Sequence, residues 1–440
     1  MSEGDVAIRG SVLTYRGDAF KEGVESTMHY EQDAIVVMSQ GKITHFGPAS
    51  TLLPTLPPEM TLQQYGSDSL IMAGFIDCHV HYTQLPIIAS YGTQLLEWLT
   101  RHAFPAEMAF SDQAYAKQVA DTFLNECLRV GTTTAAVYCT VFPPSVEAFF
   151  EASHSRNMRM LAGKVLMDSH VPDELKDTPQ SAYDDSKALI KRWHGKGRQL
   201  YAITPRFAPT SSIAQMEMTG ALWQEHPGVY LQSHIAENQE EVHWVKKLYP
   251  QCKGYLDVYE QYQQLGPRAI LGHGIWLTEK EKQRCYETGT AIAHCPTSNC
   301  FLGSGLFDLK QAIRKDRPML VGLGTDVGGG TSLSMLQTLH EAYKVSQMAG
   351  NTLSPFEAFY FATRGGAKAL DLEDTIGSIS PGLEADIIVL DMKSTPLITF
   401  RMKYCNSLEE QLFVQMMLGD DRAILDTYIA GKLSYHRPSQ

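Results

Sequence analysis

Four histidines, an aspartate and a glutamate carry the chemistry that can be read from this chain. His79 and His81 lie two residues apart in GFIDCHVH. That run reads as a strand, and side chains alternate across a strand, so both imidazoles face the same way. Converging imidazoles can share a metal ion, although a bare H-x-H is more often two unrelated core histidines. The sequence HIAE adds a third imidazole, His234, with a carboxylate three residues on, Glu237, placed to carry a proton. Asp326 follows small and apolar residues in VGLGTD, where a carboxylate is costly unless it is paired or binds a metal. Together His79, His81, His234 and Asp326 form a donor set that suits zinc, and Fe(II), Mn or Ni fit the same donors. A water or hydroxide would complete the sphere as nucleophile, its pKa lowered by the metal. The glycines after Asp326 do not form a phosphate loop, because G-x-G-x-x-G and Walker patterns are absent.

Elements must bring these residues together, and the middle of the chain supplies a repeating one. Eight apolar, β-branched runs alternate with segments of helical spacing. They are SLIMAGFIDCHVH from Ser69, TTTAAVY from Thr132, RMLAGKVL from Arg159, YAITPRF from Tyr201, VYLQSHIA from Val229, RAILGHG from Arg268, TAIAHCP from Thr290 and MLVGLGTD from Met319. FSDQAYAKQVADTFLNECLRVG exemplifies the helices between them, with Gly131 as its stop signal. ENQEEVHWVKKLY reads as another, with Glu240, Glu241 and His243 on its solvated face. Eight βα units in sequence predict a (β/α)8 TIM-like barrel of the α/β class, whose functional groups sit where strands end. His79 and His81, Arg206, His234, His273 and Asp326 fall at that end of their runs, which scattered core residues would not do. Both termini are β-rich and are expected to build one small β-sandwich. The expected organisation is 1–68 as its first part, 69–374 as the barrel and 375–440 as its completion. DAIVVMSQGKITHFG in the first part has a hairpin-like QGK turn.

Composition narrows the function. The chain has 440 residues, 44% hydrophobic and 20% charged, with a formal net charge of −12, so neither nucleic acid nor an anionic membrane is an expected partner. A neutral small molecule fits better. Its eight cysteines have no C-x-x-C spacing and read as free thiols in a reducing compartment. The first residues do not read as a secretory signal and no long apolar run suggests a membrane span, so a cytoplasmic location is expected.

Taken in order, GFIDCHVH, HIAE, LGHG with His273, AHCPTSN from Ala293 and GTD with Asp326 resemble the motifs of the amidohydrolase superfamily. More narrowly, HYTQ from His81, YGTQLLEWLTRHAFP from Tyr91, ITPRFAPTSS from Ile203, CPTSNCFLGSGLFDL and TDVGGGTSLSMLQTLHEAYKV resemble its guanine-deaminating branch. The resemblance runs from about Ile71 to Gly377. It implies that His79, His81, His234 and Asp326 hold one zinc ion per subunit, with Fe(II) or another divalent metal as the alternative. Glu237 would be the acid/base, with Asp326 sharing the proton traffic and His273 orienting the water or the developing oxyanion. Gln84, Arg206, Phe207 and Trp98 would contact guanine, beside His81, His234, His273 and Asp326. Hydroxide on the metal would attack C2, giving xanthine and ammonia. Binuclear relatives carry a carboxylated lysine near the end of strand four; this run ends in TPRF, so one metal is expected. Cys78 and Cys300 depart from residues common in relatives. The resemblance also implies a homodimer. Two readings stay open beside it: a related deaminase of 8-oxoguanine, another aminopurine or an aminotriazine, and a non-catalytic interaction protein.

Overall fold

The computed structural model describes residues 5–92 and 94–438; Thr93 of the Tyr91–Pro105 motif and the outermost residues of both terminal segments lie outside the described residues. The N-terminal part supplies β1 (Val6–Tyr15), β2 (Met28–Ser39), β3 (Lys42–Pro48), β4 (Thr61–Gln64) and β5 (Ser69–Ala73). Next come the strands of the middle: β6 (Phe75–His81), β7 (Thr132–Tyr138), β8 (Arg159–Gly163) with the short β9 (Val165–Leu166), and β10 (Leu200–Pro205). They continue with β11 (Tyr230–Ile235), β12 (Ala269–His273), β13 (Ala291–His294) and β14 (Val321–Leu323). The C-terminal part adds β15 (Ile387–Asp391), β16 (Ile424–Ile429) and β17 (Lys432–His436).

β6 to β14 pair with their neighbours in parallel, in chain order. The sheet comes round on itself at the mouth, where Asp326 N donates to His79 O at 2.8 Å and His81 N donates to Val327 O at 2.9 Å. This is the expected barrel, and each of the eight runs contributes a strand. Its outward faces pack under helices such as Gln113–Arg129, which Asp112 caps by accepting from Ala114 N and Tyr115 N. Cores of buried aliphatic and aromatic side chains fill the space between strands and helices.

The two terminal segments meet in one mixed sheet of order β17-β16-β15-β5-β1-β2-β3, with β4 beside β1. The QGK hairpin forms as expected between β2 and β3. The first run, however, is two strands. Ser69–Ala73 pairs with β1 and β15 in the mixed sheet, and only Phe75–His81 joins the barrel. The change of sheet falls at Gly74, where a Cβ would lie 2.2 Å from Thr133 Oγ1. One apolar run therefore serves two cores.

Arg159, at the start of β8, and Arg198, just before β10, both pair with Glu384, and Arg198 also pairs with Asp386. This charged joint ties the strand starts of the barrel to β15. Among the described residues no helix is long and apolar enough to cross a membrane. All eight cysteines are free.

Candidate active site

The strand ends deliver the expected residues to one point. His234 donates from Nδ1 to the Arg206 carbonyl oxygen at 2.6 Å, which leaves its Nε2 as a lone pair. That Nε2 lies 3.1 Å from His81 Nε2. Asp326 Oδ1 is 3.3 Å from His79 Nε2 and 3.5 Å from His81 Nε2. Its other oxygen, Oδ2, is 3.6 Å from His273 Nε2, which also lies 3.3 Å from Glu237 Oε2. Ligand atoms of His79, His234, His273 and Asp326 all fall within 4.8 Å of one another. The convergence thus holds five groups rather than four, and His273 competes with His81 for a place in the set. The carboxylate separates them: its Oδ1 faces His79 and His81, and its Oδ2 faces His273.

Burial decides the charge states. Burial, then the neighbouring imidazoles, holds His81 and His234 well below the ordinary histidine range. Glu237 is pushed well above the carboxylate range by burial, then by the charges of Asp326 and Glu241. Burial works the same way on Asp326, but His79, His273 and His234 outweigh it and hold the carboxyl below its ordinary value. A metal ion fits this set on chemical grounds. His79 Nε2 and His273 Nε2 are buried with no hydrogen-bond partner. Imidazole nitrogens beside one carboxylate are donors for a divalent ion of the zinc type.

The backbone around the cluster is held in unusual shape. Ala236, His273 and Asp326 have φ of 48°, 73° and 49°, a region that costs L-residues energy and is found where a site over-determines it. Space for the His79 ring comes from the facing strand, since a Cβ on Gly272 would sit 2.6 Å from His79 Cε1.

Next to the cluster lies a small cavity. The expected contact residues His81, Gln84, Trp98, Arg206, Phe207, His234, His273 and Asp326 all line it, together with Glu237. Leu95, Leu99, Leu302 and Gly329 complete its walls. Cys78 and Cys300 are not among the lining residues: the Cys78 thiol points to Gly366 O at 3.7 Å, and Cys300 is exposed.

One reading fails. Glu241, expected on a solvated helix face, is fully buried, whereas Glu240 and His243 are exposed. It sits in the first turn of the helix Gln239–Leu248 and folds back to accept from Glu237 N at 2.8 Å and Asn238 N at 3.0 Å. Tyr255 donates to its other oxygen at 2.6 Å. Helical periodicity placed this residue with the polar face, but at the N-terminus a glutamate here closes a capping box. Sequence reasoning also missed Glu107, Asp77 and Asn299. Glu107 accepts from Arg206 Nη1 and from Gln84 Nε2. Asp77 accepts from Thr325 Oγ1 and His79 N and so pins β6 to the end of β14. Burial pushes its carboxyl up to about 6, against the bonds from Thr325 and His79. Asp77 shares strand parity with His79 and His81, a signal that could have found it. Asn299 Oδ1 accepts from His273 Nδ1 at 2.8 Å. Nothing local marks Glu107, because its partners are remote in sequence.

Comparison with known proteins bears on this arrangement. The model of the Amidohydrolase family matches residues 70–433. The chain belongs to the amidohydrolase family. It is 49% identical over 432 residues to a guanine deaminase of Escherichia coli (strain K12), covering 98% of each chain. The solved structure of E. coli guanine deaminase superposes with a TM-score of 0.96, covering 98% of this chain and 100% of that one. A guanine deaminase from C. acetobutylicum, solved with guanine bound in its active site, is 26% identical with a TM-score of 0.86, covering 98% and 100%. This amidohydrolase carries its imidazole and carboxylate cluster at the mouth of the barrel, where βα loops are free to vary around it.

Proposed function

We propose that this amidohydrolase is a zinc-dependent guanine deaminase, converting guanine and water to xanthine and ammonia. The observation that carries the reading is one cavity in which Arg206 and Gln84 share the walls with the imidazole and carboxylate cluster and with Glu237. The 49% identity to a guanine deaminase over nearly the whole chain supports the same substrate.

His79, His81, His234 and Asp326 would hold a single zinc ion. When bound, it supplies a Lewis acid that lowers the pKa of water and steadies charge on oxygen. Glu237 takes a proton from the attacking water and delivers it to ring N3 as the oxygen joins C2. Its carboxyl holds the proton between the two transfers. Asp326 takes the remaining proton and passes it toward the leaving amine. His273, steadied by Asn299, faces Glu237 and Asp326 and stabilises charge developing on the oxygen. Phe207 and Trp98 flank the ring. Arg206 donates to O6 and cannot accept from the amino group of adenine. Such a mismatch is worth about 10⁴-fold in discrimination.

The test is ammonia release from guanine, adenine, 8-oxoguanine and aminotriazines, with zinc quantified in the same sample. Guanine should be the preferred substrate. Equal rates on guanine and a triazine would sink the narrow reading, and a metal-free, inactive protein would favour a non-catalytic module. The homodimer implied by the resemblance is checked by light scattering, which should return twice the mass of one chain.

A further inference from the structure

Behind Arg206 stands a carboxylate that the chemistry above does not use. Glu107, on the segment Phe104–Met108, is fully buried. Both its oxygens accept from Arg206 Nη1, at 2.8 and 2.7 Å, and Oε1 also accepts from Gln84 Nε2 at 3.1 Å. Gln84 is held at its other end too, where its Oε1 accepts from Gly328 N at 3.2 Å. The Arg206 guanidinium lies 5.3 Å over the Phe104 ring, on the same segment as Glu107.

Two consequences follow from this geometry. Arg206 spends one nitrogen on Glu107, and among the described residues no side chain or carbonyl is shown to take its remaining N–H groups, which leaves them for a ligand; Gln84 likewise keeps one amide hydrogen. The clamp therefore aims two donors into the cavity and allows neither side chain to turn away. The second consequence is electrostatic. An uncompensated guanidinium in a water-poor wall would attract anions strongly, and Glu107 cancels it at hydrogen-bond distance.

We infer that Glu107 is a positioning and specificity-determining residue, which aims Arg206 and Gln84 and makes their wall electrically neutral so that the site favours neutral purine over anionic product. The inference rests on the proposed guanine deamination. Deamination replaces an amino group by a carbonyl and leaves a ring N–H between carbonyls, so the product is the stronger acid. At mildly alkaline pH much of the xanthine is an anion while guanine is neutral. A cationic wall would retain the product, and a neutral wall lets it leave.

The experiment uses the zinc-loaded protein at one mildly alkaline pH. KM for guanine is measured by ammonia release, and xanthine affinity by calorimetry, for the wild type, Glu107→Gln and Glu107→Asp. Each variant is first checked for zinc content and cooperative melting. In Glu107→Gln, which loses the charge, KM for guanine should rise about 10- to 100-fold. The ratio of xanthine to guanine affinity should shift toward xanthine by about tenfold. In Glu107→Asp, which keeps the charge and moves it, KM should rise while that ratio stays within about twofold of wild type. A purely structural role would weaken both ligands alike in Glu107→Gln, and that result overturns the inference. If Glu107→Gln does not fold, a shift toward xanthine in Glu107→Asp overturns it instead. A wild type that releases no ammonia from guanine removes the proposed function, while guanine and xanthine affinities both taken by calorimetry still score Glu107 by themselves.

Discussion

Glu237 is the residue on which the proposed chemistry turns, and its surroundings explain why. It ends a loop whose backbone N–H groups are tied to Glu241, and one of its oxygens accepts from Ser304 at 3.2 Å. Replacing it by glutamine keeps the shape and removes the proton carrier. Glu237→Gln should lower kcat by about 10² to 10⁴ with zinc content unchanged, measured by ammonia release and metal analysis. Parallel loss of metal would show that the carboxylate holds the site together instead. Arg206 offers a contrasting case, since its carbonyl oxygen, not its side chain, holds His234 Nδ1. Arg206→Ala keeps that carbonyl, so guanine turnover should fall far more than zinc content. Equal losses would refute a role in binding substrate.

Among the elements, the parallel strands matter through what they leave out as much as through what they present. The β12 strand places Gly272 against the His79 ring. A methyl group there must push the imidazole off its position, so Gly272→Ala should weaken metal binding by about 10- to 100-fold, as expected when the support of a ligand is lost. Competition with a chelator measures it, and unchanged affinity would mean that the ring has room to move. The joint between barrel and mixed sheet gives a prediction in pH. Burial raises the Glu384 carboxyl, but bonds and charge from Arg159 and Arg198 outweigh it, so it sits below its ordinary value of 4.5. A carboxyl lowered in the folded chain stabilises it at every pH above that ordinary value. The stabilisation is lost as pH falls through the depressed folded value. Glu384→Gln should therefore cost roughly 2 kcal/mol at neutral pH, below the value for a wholly buried pair because Glu384 is partly exposed. The gap between variant and wild type should close in acid. Thermal midpoints across pH check it, and a gap that persists in strong acid counts against the ion pairs.

For the whole molecule, the proposed metal would be the largest single lever. The proposed ligands come from β6, β11 and the loop after β14, so one ion would bridge strands that are distant in sequence and adjacent in the closed barrel. An ion that binds only the folded chain stabilises it by about 4 kcal/mol when free ion exceeds the dissociation constant about a thousandfold. Removing zinc with a chelator should lower the thermal midpoint and abolish ammonia release, and adding zinc back should restore both. A midpoint that does not move would mean that the folded chain and the unfolded chain hold the ion equally.

The amino-acid sequence by itself determined the alternation of eight strands and helices, because hydrophobic periodicity is local and each strand carries its own. It also determined which polar residues end those strands, and hence the group His79, His81, His234, Glu237, His273 and Asp326. The periodic pattern misled only where another local rule competed. Glu241 belongs to a helix cap rather than a helix face, and one continuous apolar run from Ser69 to His81 serves two sheets. Tertiary structure alone decided the rest. The separation of His81 from His273 around the two oxygens of Asp326 depends on strand closure and ring orientation, neither of which spacing specifies. Glu107 and Asn299 work through partners that are far away along the chain, and only the fold makes them neighbours. The charge states follow from the same cause, since desolvation is a property of a buried place and not of a residue type.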